Sequence, residues 1–138
     1  MKRSTFNYIQ DILRDYPKLD KYIEEREEEL RYPFKPTDIN AGIQGNGRND
    51  KMTNMLITIE EDKRITALRR NQRVISDNLD ECDEDTKTII NELYLKKYPR
   101  YTMNGLVENK IIYCSRSQAF NLRNRFFENI ADDLGLDK

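Results

Sequence analysis

Residues 109–127 read Asn109-Lys110-Ile111-Ile112-Tyr113-Cys114-Ser115-Arg116-Ser117-Gln118-Ala119-Phe120-Asn121-Leu122-Arg123-Asn124-Arg125-Phe126-Phe127. Lys110, Arg116, Arg123 and Arg125 fall in this stretch, and no carboxylate does. Ser115-Arg116-Ser117-Gln118 is the clearest helix start in the chain, because a serine oxygen can accept from N–H groups that the first turn leaves unpaired. With about 100° between successive residues, Ala119, Leu122, Phe126 and Ile130 align, with Phe127 beside them, as an apolar stripe. The helix is expected to continue to about Leu134 and stop at Gly135. Just upstream, Thr102 caps a short helix reaching about residue 110, with Met103, Leu106 and Val107 inward. Ile111-Ile112-Tyr113-Cys114 is then the connecting turn. A short helix, a turn and a basic, amide-rich second helix describe a helix-turn-helix that lies in the major groove of double-stranded DNA.

The polar side of that second helix carries the chemistry. Ser117, Asn121 and Asn124 point away from the apolar stripe, Gln118 and Arg125 flank them, and Arg116 sits at the N-terminal end. Amides pair bidentately with adenine and arginine with guanine, so these six residues are the candidate base readers. Lys96, Lys97, Arg100, Thr102, Lys110, Tyr113 and Arg123 surround the same region and are candidates for phosphates, which set register without specifying sequence. Phe120 has two readings: contact with a thymine methyl, or closure of the domain core. A basic amphipathic helix is often only a solvated face. The cap, the turn, the polar outer side and the missing acids together favour DNA.

Working outward, 83–98 is expected to be a helix begun by acidic residues that suit its dipole and ended by Pro99. Its packing side is Ile89, Ile90, Leu93, Tyr94 and Leu95. The region 51–79 has neither proline nor glycine and is expected to form one long helix. Met52, Met55, Leu56 and Ile59 make one stripe, and Ile65, Leu68, Gln72, Ile75 and Leu79 another. Both stripes cannot be buried by the helix alone, so it packs on the N-terminal helices, on a second copy as a homo-oligomer, or on both. The segment 33–50 holds prolines, glycines and asparagines, including the turn signal Asn46-Gly47, and is expected to be a long loop. At the N-terminus, 4–16 is a helix with Phe6, Ile9, Ile12 and Leu13 on one side. Tyr16-Pro17 interrupts it, since a residue before proline disfavours helical dihedrals. A second helix then runs from Pro17 to about Arg31 with Leu19, Tyr22, Ile23 and Leu30 for burial. The run from Glu24 to Glu29 is a solvated side. The expected architecture is all-α: an N-terminal helical lobe over 1–81 with the long central helix, and a DNA-binding domain over 82–138.

The chain of 138 residues is 37% apolar and 36% charged, and its mean hydropathy is −0.91. That suits a soluble helical protein with a lean core, or one that buries more by meeting a partner. The net charge of −1 hides an uneven distribution. Acids cluster at Asp77, Asp80, Glu81, Asp83, Glu84 and Asp85, whereas Glu108 is the one carboxylate between Lys96 and Arg125. An overall pI near 5.6 does not exclude DNA, because counterion release depends on the local basic surface. With two cysteines and no histidine, a Cys/His zinc site and imidazole catalysis are excluded. No cofactor, metal or catalytic constellation is evident, and an enzyme is not expected. Cys82 and Cys114 read as free thiols of a reducing cytoplasm. No run is long and apolar enough to cross a membrane, and Met1-Lys2-Arg3 is followed by no signal-peptide core.

The block from Asp83 to Ile130 resembles region 4 of sigma factors, whose helix-turn-helix reads the promoter −35 element. Thr102-Met103-Asn104-Gly105-Leu106-Val107 stands where that module has its capped first helix, and Ser115-Arg116-Ser117-Gln118-Ala119-Phe120-Asn121-Leu122 where its recognition helix starts. The turn is longer than usual and Gly105 is a departure. Across nearly its whole length the chain is similar to small phage transcriptional regulators of the RinA/ArpU type. The matches are Asp15-Tyr16-Pro17 and Pro33-Phe34-Lys35-Pro36-Thr37-Asp38-Ile39-Asn40-Ala41-Gly42, followed by a long helix and the sigma-like module. The resemblance implies activation of phage late genes, those for packaging and morphogenesis, with host RNA polymerase in the cytoplasm of a Gram-positive cell. Asp38 and Asn40 read as Asx turns and caps that hold the loop onto the long helix, with a surface touching RNA polymerase as the alternative. Two rivals remain: a small terminase-like packaging component forming a large ring, and a helical interaction protein whose basic helix docks an acidic partner.

Overall fold

The computed structural model describes residues 1–31, 58–59 and 62–138. Their regular elements are helices: α1 (Arg3–Asp15), α2 (Leu19–Arg31), α3 (Lys63–Glu81), α4 (Glu84–Ile90), α5 (Met103–Glu108) and α6 (Arg116–Leu134). Among the described residues no strand occurs, and the all-α expectation is borne out.

The helix ends follow from local chemistry. Asp83 Oδ1 accepts from the Thr86 N–H at 3.1 Å to start α4. Thr102 Oγ1 accepts from the Gly105 N–H at 3.1 Å to start α5. Ser115 Oγ accepts from the Gln118 N–H at 3.2 Å to start α6. Each satisfies a donor that the first turn leaves orphaned. Gly135, with φ of 68°, closes α6. Its N–H and that of Leu136 donate to the Asp132 and Ala131 carbonyls at 3.1 and 2.8 Å.

Helix α5 ends at Glu108, short of residue 110, and the reason is Lys110. This residue takes the left-handed conformation with φ of 55°. Its N–H donates to the Val107 carbonyl at 3.2 Å, and the Ile111 N–H reaches back to the Leu106 carbonyl at 3.0 Å. That is a Schellman closure with lysine where glycine is usual. Helix α4 runs into a π-helical turn, Asn91–Leu95. Lys96 is then extended, with ψ of 135°, so the helix expected over 83–98 stops before Pro99 rather than at it.

Two further expectations are corrected. Tyr16 precedes proline yet keeps helical dihedrals, φ −49° and ψ −46°, with its N–H on the Leu13 carbonyl. Its half-buried ring packs against the core, and the chain tightens into a 3₁₀ turn, Tyr16–Lys18, before α2. The single helix expected over 51–79 does not pass through Asp62, which is non-helical. Asp62 Oδ1 accepts from the Ile65 N–H at 2.9 Å, so α3 begins at Lys63. By packing, Met1–Pro17 and Asn71–Lys138 form one unit and Lys18–Arg70 the other. The loop 33–50, with its proline-rich motif, and the stripe residues Met52, Met55 and Leu56 lie outside the described residues.

In the larger unit, Ile9, Ile12 and Leu13 of α1 meet Val74 and Ile75 of α3, Ile90 and Tyr94, and Phe126, Phe127, Ile130 and Ala131 of α6. The Phe127 ring is enclosed, stacked on Phe6 at 4.6 Å and edge-on to Tyr94 at 5.2 Å. A second cluster joins Ile89, Met103, Leu106, Ile112 and Ala119, tying α4, α5, the turn and α6 together. Asn78, buried on α3, donates to the Asp133 carboxylate on α6 at 2.9 Å. In the smaller unit Ile23, Ile59 and Ile65 pack with Leu30 and Leu68. Arg26 grips Asp62 there at 3.0 Å, and this guanidinium, with the Ile65 N–H, holds the Asp62 carboxyl below its usual value. The acidic run of α2 is mostly solvated, but Arg26 and Glu27 are half-buried, with Glu27 on Arg69 at 2.6 Å.

Because a left-handed non-glycine residue costs roughly 1 kcal/mol, Lys110→Gly should raise the unfolding free energy by about that amount. A urea titration showing an unchanged or lower midpoint would contradict the left-handed closure of α5.

Candidate nucleic-acid interface

Helix α6 is two-sided. Ala119, Phe126, Phe127, Ile130, Ala131 and Leu134 are buried, while Arg116, Ser117, Gln118, Asn121, Asn124 and Arg125 are all exposed. The two aromatic residues at 126 and 127 sit in the core and fix the rotation of the helix, so its N-terminal half turns arginine and amide groups to solvent. The opposite side is held by α5 and the turn through Leu106, Ile112 and Ala119. Asp85 of α4 adds a polar tether: its Oδ1 accepts from the Tyr113 N–H at 3.2 Å. The Tyr113 ring is left 88% exposed.

The candidate phosphate ligands are arranged unequally. Lys97, Arg100 and Lys110 are exposed, and Lys97 lies 5.4 Å from the ring of Tyr98. Lys96 is already held by both oxygens of Glu92, at 2.8 and 2.9 Å. An exposed pair of this kind is weak, so Lys96 can be drawn off by a phosphate, at reduced gain. Thr102 uses its oxygen as a cap acceptor, which leaves the hydroxyl proton to donate.

Arg123 is the misfit. Its guanidinium carbon lies 5.1 Å from the Phe6 ring and 5.0 Å from the Phe120 ring. Nε and Nη2 donate to Asn124 Oδ1 at 3.2 and 2.8 Å, and Nη1 approaches the Tyr94 hydroxyl at 3.5 Å. Such a half-buried, stacked arginine is a structural tie between α1, the π turn and α6, whatever part it takes in the phosphate contact expected of it. Phe120 resolves accordingly. It packs on the second core cluster and carries Arg116 at 5.6 Å as well as Arg123, so it closes the core and props two arginines.

Arg3, Asn7 and Gln10 of α1, not among the candidates read from the sequence, line a groove with Met1 and Phe6 and with Arg123, Asn124 and Glu128 of α6. The signal available was local: Lys2 and Arg3 are followed by no acid until Asp11. Their nearness to α6 depends on the Phe6–Phe127 contact, which no spacing reveals. Cys82 and Cys114 are free and half-buried. Burial pushes both thiols up, aided by Asp83 and Glu84 at Cys82 and by Asp85 and Asp83 at Cys114, while Lys87 works the other way at Cys82. Among the described residues no cluster could hold a metal ion, and no helix is long and apolar enough to cross a membrane.

Residues 6–132 match a family described as a protein of unknown function, DUF722. The chain belongs to that family. It is also 27% identical, over 142 aligned residues covering 99% of this chain and 95% of the relative, to the transcriptional activator rinA of Staphylococcus phage phi11. No solved structure matches. The resemblance to phage regulators of the RinA type is therefore borne out, and the relative is named for activating transcription rather than for catalysis.

Two outcomes follow from the contacts. Arg123→Ala should lower the unfolding free energy by about 1–2 kcal/mol, as two half-buried cation–π contacts and stem packing are lost; an unaltered urea midpoint would return Arg123 to the free surface. Near neutral pH, raised thiol pKa values leave little thiolate. Iodoacetamide should therefore modify Cys82 and Cys114 more slowly than free cysteine until urea unfolds the chain, and equal native rates would contradict their shielding.

Proposed function

We propose that this chain is a phage transcriptional activator that binds double-stranded DNA sequence-specifically through α5, the turn and α6, used as a sigma region 4-like helix-turn-helix. The observation that carries the reading is the exposed, acid-free side of α6 from Arg116 to Arg125, set opposite a fully engaged core side. The near full-length similarity to a phage transcriptional activator supports it. Arg116, Ser117, Gln118, Asn121, Asn124 and Arg125 read bases. Lys97, Arg100, Lys110, Tyr113 and Thr102 contact phosphates, with Lys96 recruited from Glu92. The chain acts in the bacterial cytoplasm with host RNA polymerase at a promoter of late packaging and morphogenesis genes.

Arg116 is the sharpest probe of the base-reading role, because its guanidinium is steadied over the Phe120 ring. Arg116→Ala should cost roughly 1–3 kcal/mol on the preferred site and relax selectivity at one base pair. DNase footprinting on the late-operon promoter of the parent genome, with and without polymerase, locates that site. An equal loss on every sequence would refute base reading by Arg116, and absence of any footprint at low salt would refute the DNA-binding function.

A further inference from the structure

The groove between α1 and α6 is polar and cationic where it meets the proposed base-reading side. Arg3, Asn7 and Gln10 come from α1, and Arg123 and Asn124 from α6. Asn124 belongs to both surfaces, so the groove continues the exposed side of α6 without a step. Arg123 forms a fixed part of its wall, because Phe6, Phe120, Tyr94 and Asn124 hold the guanidinium in place. Lys2 is turned aside to Asp137 at 3.7 Å. Arg3 is exposed and, among the described residues, pairs with no carboxylate. The single acid lining the groove is Glu128, a turn beyond Asn124.

We propose that this groove grips the phosphate backbone of the same DNA duplex, beside the bases that α6 reads, with Arg3 supplying the charge and Asn7 and Gln10 donating N–H groups to phosphate oxygens. This inference rests on the DNA-binding reading of α6 and adds a second, sequence-independent contact from the opposite end of the chain. Backbone contacts of this type fix register and orientation and carry no base information. Glu128 limits the track: a phosphate passing it meets a like charge, which confines the backbone to the Arg3–Asn124 end. Met1 and Phe6 also line the groove, but Arg3, Asn7, Gln10 and Arg123 give its Arg3–Asn124 end the cationic and amide groups that suit a polyanion.

The test compares the wild type with Arg3→Ala and Glu128→Gln, both at exposed positions. The probes are a labelled duplex spanning the late-operon promoter and a scrambled duplex of equal length, titrated at several salt concentrations. Arg3→Ala should weaken both duplexes about fivefold and reduce the magnitude of the salt slope by about 1, the value for one released phosphate contact. Glu128→Gln should tighten both about twofold. The preference for the promoter over the scrambled duplex should stay constant in both variants. Wild-type affinity and slope in both variants would overturn the groove while leaving the reading of α6 intact. A loss in Arg3→Ala confined to the promoter duplex would also overturn it, as that behaviour belongs to a base reader. A wild type that binds neither duplex at low salt would overturn the DNA reading itself.

Discussion

The enclosure of Phe127 between Phe6 and Tyr94 sets the rotation of α6, and every functional statement about that helix depends on this rotation. A helix presents a new residue about every 100°, so a slip of one position would turn Asn121 and Asn124 off the exposed side and displace Phe126 from the core. Large aromatic side chains resist such slips, because their burial contributes several kcal/mol and ring geometry limits how they can be repacked. The polar side is thus specified by its opposite: the amides face outward because Phe126, Phe127 and Ile130 cannot.

Arg123 extends that constraint into the polar surface. An arginine is commonly a mobile surface cation with large side-chain entropy to lose on binding. Here the rings of Phe6 and Phe120 and the Tyr94 hydroxyl have already ordered it, and its N–H groups orient Asn124. Part of the entropy cost of ordering Asn124 is therefore met during folding, and with its Oδ1 engaged its Nδ2 hydrogens are what it can offer a ligand. The Phe120 ring acts in the same way on Arg116. One aromatic residue closes the smaller core and steadies guanidiniums on the surface above it.

What the sequence made legible was what short-range chemistry decides. Asp83, Thr102, Ser115 and Gly135 each act within a few residues, and each stands where its helix ends. Lys110 was opaque because any residue type other than glycine argues against the left-handed region, and here the Leu106 and Val107 carbonyls impose it. Asp62 was hidden in a run free of proline and glycine, where a cap competes with helix propensity on nearly equal terms. Tyr16 kept its helical dihedrals because the packing of its half-buried ring outweighed the steric bias of the following proline. For the site, the exposed residues of α6 followed from periodicity, whereas the stacking of Arg123 and the approach of α1 are tertiary events with no local signature.

The acidic cluster before α4 finds its place in the same terms. Asp83 caps α4, and Asp85 holds the backbone of the turn through Tyr113. These carboxylates lower the overall charge of the protein, but two of them fix the geometry of the segment leading into the cationic side of α6. Screening confines electrostatic influence to about 8–10 Å at physiological ionic strength. Acids grouped at one helix start therefore weigh less on a polyanion than cations spread along the surface it would cover. The compensation has a functional consequence: a chain near zero net charge gains little from distant, non-specific attraction to nucleic acid. On the proposed reading, selectivity would come from the local contacts of α6 and the adjoining turn.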